Sequence, residues 1–159
     1  MKRVAAGVLC TVLVLFVGPP ASANKPVIHR TAVNDEFVDS SCGFDVDVRT
    51  TGFVVDIFWT GADGSVRDFQ AFPQGKQVIT NVKTGRSITI NISGPAHVTV
   101  TAGGTATLIG TGNWSWGSNP VTGDPGIFLT RGRFVMSLNT GVVTSLRGDL
   151  VGLCSKVAA

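Results

Sequence analysis

Groups that could carry or move a proton are scarce in this chain. Its 159 residues include no tyrosine, two histidines (His29 and His97), three cysteines and one glutamate, Glu36. Charged residues make up only 14%, and none occurs in the 37 residues from Ser87 to Gly123. There is no G-x-S-x-G elbow, no H-E-x-x-H, no phosphate loop and no glycine fingerprint leading from a strand into a helix. The sequence therefore points to no cofactor and no metal. No segment sustains an apolar period of three to four residues, so no helix is expected, and no repeat of roughly 20 to 50 residues suggests a solenoid.

Long apolar runs are also missing, with one exception at the start. Lys2 and Arg3 precede the apolar stretch Val4 to Val17, and Ala21-Ser22-Ala23 forms a small-residue cleavage site. The run is shorter than the roughly 20 residues of a spanning helix, and Gly18-Pro19-Pro20 breaks it. Residues 1–23 thus read as an export signal, cleaved after Ala23, with no transmembrane segment after cleavage. Removing them lowers the 13 basic residues to 11 against 10 acidic ones. The remaining charges are scattered singly and cannot follow a phosphate backbone, so no nucleic-acid partner is expected. The cysteines left are Cys42 and Cys154, and in an oxidising compartment they predict one disulfide.

What is abundant is alternation. Ile88, Ile90, Ile92, Val98, Val100, Ala106 and Leu108 fall on even positions, and mostly Thr, Ser, Asn and His97 fall between them. A period of two describes strands with one apolar and one polar face. Similar short segments run from Cys42 onward, with turn signals centred near residues 52, 62, 74, 85, 95 and 104. The spacing predicts an all-β antiparallel meander of eight or nine strands, closed or partly closed into a barrel, with a two-sheet sandwich as the alternative. Residues 24–40 show no sustained period and read as an extended N-terminal arm, leaving 41–159 as a single barrel-like domain. The regular spacing lapses between Asn113 and Gly126, which reads as one long connection.

The Cys42-Gly43-Phe44 string, the ladder of turns, the run Gly126 to Phe134 and the pair Leu153-Cys154 together resemble small exported all-β proteins of actinobacteria. The resemblance implies export from a bacterial cell and carries no activity onto particular residues.

Trp114 and Trp116 make the clearest binding signal. Two apart on an extended backbone, they share a side, and the Gly, Ser, Asn and Pro around them suggest an exposed loop where paired indoles stack on a sugar or line a cavity mouth. Gly110 and Gly112 share their parity, so an indole folded over bare backbone is the structural alternative. Trp59 and His97 are further ligand-contact candidates. Asp56 stands among Val54, Val55, Ile57 and Phe58. On an inward face it would be a desolvated carboxylate and the best single candidate for a general base, with Arg67, Arg131 or Arg133 as counter-charge.

From these residues the expected function is an exported, non-catalytic binding or cell-envelope interaction protein whose partner is a glycan or a small apolar molecule. One alternative is a barrel enzyme of cyclase or isomerase type using a buried Asp56 with Arg133. Another is a structural surface protein that assembles through its N-terminal arm, of unknown oligomeric state.

Overall fold

Val, Ile and Thr dominate the alternating segments, and their branched side chains favour the pleated backbone. The computed structural model describes residues 25–60, 66–100 and 104–158. Most of them lie in strands: β1 (Val27–Asp39), β2 (Val46–Thr60), β3 (Val66–Phe72), β4 (Lys76–Asn81), β5 (Ser87–Asn91), β6 (Gly94–Val100), β7 (Ala106–Ser118), β8 (Pro125–Ser137) and β9 (Val143–Gly152). A single helical turn, α1 (Cys154–Val157), follows β9. The export signal and its cleavage site lie outside the described residues, and among those described no helix is long and apolar enough to cross a membrane.

All pairings are antiparallel and belong to one sheet, curled into half a barrel, with β1 as an extra strand beside β2. The expected partly closed barrel is thus the observed form, and a single sheet takes the place of a sandwich. The registers also show how the meander is made. The first half of β2 pairs with β4 and its second half with β3, on the same edge. In the same way β5 pairs with β4 and β6 with β3. Thus β3 and β4 are two halves of one bent strand, and so are β5 and β6.

The bends line up. Gly52 of β2 adjoins the backbone of Gln74 and Gly75, between β3 and β4. Gly75 adjoins the Ile92 carbonyl, and Gly94 and Gly112 approach each other across β6 and β7. Gly112, Gly132 and Gly148 then stand directly opposite one another on β7, β8 and β9. A Cβ on Gly132 would strike the carbonyl oxygen of Arg147, and one on Gly148 that of Arg131. Their φ values of +124° and +139° lie where side chains are rarely tolerated. These glycines line up in a crease that crosses the sheet from β2 to β9.

Folding along the crease gives two cores. On one side Val46, Val48, Ile79, Ile127, Leu129 and Leu153 pack with Val157 of α1. On the other Ala96, Leu108, Phe134 and Val143 form a second cluster, against which Trp114 and Trp116 pack. β8 serves both, because Leu129 and Phe134 have opposite parity and so leave opposite faces of the strand. The disulfide joins Cys42, in the β1–β2 connection, to Cys154, after β9.

Two sequence expectations are corrected. The signals at 52, 74 and 95 are not reversals: the first lies inside continuous β2, and the others are kinks between successive halves of one bent strand. Glycine and proline mark a crease as readily as a hairpin. The segment from Asn113 is strand as far as Ser118, because β8 supplies a pairing partner for each residue up to Trp116. Within the expected extended arm, Val27–Asp39 pairs with β2 over its full length.

Candidate functional site

A cavity of about 250 Å³ occupies the crook of the crease. Its walls come from residues next to the bends. Thr50 and Val54 flank Gly52, and Val33 stands opposite Gly52 on β1. Phe72 and Gln77 flank the kink at Gly75, Ile92 precedes the kink at Gly94, and Asn113, Trp114 and Ser115 follow Gly112. The bend that folds the sheet therefore also leaves the space inside it.

The lining is uncharged. Val33, Val54, Phe72, Ile92 and the Trp114 ring make it largely apolar, and the polar groups form a short ordered chain. The Gln77 amide nitrogen donates to the Thr50 hydroxyl at 3.0 Å, and the Ser115 hydroxyl donates to the Gln77 oxygen at 2.7 Å. Both ends of this buried amide are thereby fixed. The Asn113 backbone N–H bonds the Ser93 carbonyl at 2.9 Å, whereas its half-buried side-chain amide has no hydrogen bond among the described residues. A second, more open depression of about 380 Å³ lies beside Gly75 and Lys76, with no aromatic lining.

Trp114 is held from behind. Its indole N–H donates to the Thr111 carbonyl at 3.0 Å, and the ring meets Phe134 edge to face at 5.4 Å. Trp116 also meets Phe134 edge to face, at 5.1 Å, and donates to the Thr130 hydroxyl at 3.1 Å. Phe134 itself lies over Gly110, where a Cβ would run into the ring. The two indoles are thus braced on one phenyl ring rather than held as a free coplanar pair. Of the two, only Trp114 reaches the cavity wall.

The other sequence candidates are dispersed. His97 is exposed and adjoins fully buried Ala96, so it points to the opposite face of β6. Trp59 is 37% exposed, near the end of β2 and opposite Arg67 in the register. Arg131 and Arg133 are exposed, and Arg133 alternates with buried Phe134. Asp56 is half-buried on the Val54 side of β2, between His29 of β1 and Gln70 of β3, and it does not line the cavity. Asp56 and Arg133 are therefore not brought together in this cavity.

The residues missed from sequence are Gln77, Asn113 and Ser115. A weak signal for Gln77 existed: it shares parity with apolar Ile79 and so interrupts an apolar face.

Compared with family models, with curated proteins and with solved structures, the chain matches none.

Proposed function

We propose that this is an exported, non-catalytic binding protein that holds a small, uncharged, mainly apolar molecule in the crease cavity. The observation that carries this reading is the lining: apolar walls, no charge, one buried amide fixed at both ends, and half-buried Asn113, whose side chain has no hydrogen-bond partner among the described residues. Pockets of this kind bind by burying apolar surface and orient their ligand through a few placed polar groups. An apolar cavity of about 150 Å³ admits benzene, which scales to roughly ten non-hydrogen atoms here. A saccharide would demand more polar partners than this wall offers. Export is supported by the leader pattern at residues 1–23, by the disulfide and by the resemblance to small exported proteins of actinobacteria.

The test is native mass spectrometry and calorimetry against monocyclic terpenoids and medium-chain alcohols, with a glycan array in parallel. Binding of a hydroxylated apolar compound is expected, weakened about tenfold by Asn113→Ala through loss of a hydrogen bond and more by Trp114→Ala. Absence of binding in both screens, or binding that ignores both substitutions, would sink the reading.

A further inference from the structure

β1 is a sheet edge open to a further strand. It pairs with β2 on one side, and among the described residues no strand pairs with the other. Solvent reaches both its faces: every residue from Val27 to Val38 except Val33 is exposed, including Ile28 at 61% and Val38 at 63%. Edge strands normally carry proline, lysine or a bulge that blocks a further strand. Val27–Asp39 has neither proline nor lysine, and its register with β2 runs through 13 residue pairs without a break.

Its side chains are arranged as their own complement. The basic groups, His29 and Arg30, lie in the first half and the acidic ones, Asp35, Glu36 and Asp39, in the second. A two-fold axis perpendicular to the sheet keeps every residue on its own face. Two copies of β1 can then pair antiparallel only with even positions opposite even and odd opposite odd. With the axis at Val33, Arg30 faces Glu36 of the other copy, Ile28 faces Val38, and His29 faces Phe37, each twice. The neighbouring allowed registers set Ile28 against Glu36, or Arg30 against Val38.

We propose that two copies of this chain associate through antiparallel β1–β1 pairing about a two-fold axis at Val33, forming one continuous sheet. Each monomer already holds the facing groups in place. The Arg49 guanidinium contacts the Glu36 carboxylate at 2.7 Å and keeps its pKa below the usual value, so Glu36 is ionised at neutral pH. The Arg30 guanidinium lies 3.7 Å over the Phe53 ring. Pairing extends the row to Arg49, Glu36, then Arg30 of the second copy, with charge alternating across three strands. The His29 ring, edge-on to Phe58 at 5.9 Å, gains Phe37 on its other side.

Sedimentation velocity of the purified, disulfide-bonded chain across a dilution series should show a reversible dimer. Arg30→Glu and Glu36→Arg should each weaken it about tenfold or more, because each sets like charges opposite one another twice. An equimolar mixture of the two variants should restore association, since opposite charges then meet at both positions. In a second arm, air oxidation of Val33→Cys should give a disulfide-linked dimer on a non-reducing gel, because only this position faces itself. A monomer at every concentration, a dimer indifferent to both charge changes, a mixture no tighter than its components, or no cross-link through Val33→Cys would each overturn the proposal.

Discussion

Asn81 shows how much one buried amide can organise. It is 4% exposed at the end of β4, where its side-chain oxygen accepts from the backbone N–H groups of Lys83 and Thr84 and so shapes the turn into β5. Its nitrogen donates to the Val157 carbonyl at 3.1 Å, tying α1 to the same turn. Asn81→Ala would remove all three bonds and leave the carbonyl of buried Val157 without its partner, and the expected loss is about 1 to 3 kcal/mol, measured as a shift of the urea midpoint at constant slope. No loss would mean that α1 is held by the packing of Val157 alone. At this scale the sequence was only partly legible. Trp114 and Trp116 stand out by composition, whereas Gln77 and Asn81 look like ordinary solvent-side residues until the parity of Ile79 shows which face they share.

Strands and their bends are better read as one long object than as separate pieces. The period of two correctly located the extended segments of β4, β5 and β6, because alternation depends only on which face is buried. It could not separate a reversal from a kink. The Gly94-Pro95 signal looks the same in either case, and the choice is made by residues far away in sequence, here Thr111 and Gly112. The crease also makes a sharp prediction. Gly148→Ala places a Cβ against the Arg131 carbonyl oxygen and forces φ near +139° on a residue that disfavours it. A loss of about 3 kcal/mol or more in chemical denaturation is expected, while Gly141→Ala, with open space at a β8–β9 turn glycine of φ +71°, should cost about 1 kcal/mol. Equal effects at the two positions would show that the crease is not tightly packed.

Across the whole molecule, the curled sheet is closed by a covalent bond instead of a ladder. Among the described residues no backbone pairing joins β9 to β1 or β2, and the Cys42–Cys154 bridge, 112 residues apart in sequence, spans the two ends. Replacing both cysteines with serine should lower the unfolding free energy by about 4 to 5 kcal/mol on a chain-entropy account. A change below about 1 kcal/mol in urea denaturation would mean that core packing alone holds the ends together. This pairing was readable because setting Cys10 aside, with the expected leader pattern, left only one combination. The half-closed shape was not, since it depends on where the crease crosses the sheet.

The bridge also gives the chain the topology of a lasso. Residues 42 to 154 form a closed ring, and β1 belongs to the tail that precedes it. The ladder to β2, with the contacts that Glu36, Arg30 and His29 make to the same strand, fastens that tail along its length. Unzipping it breaks hydrogen bonds but unthreads nothing, so β1 can leave its own β2, or exchange onto the β2 of another molecule, while the ring stays shut.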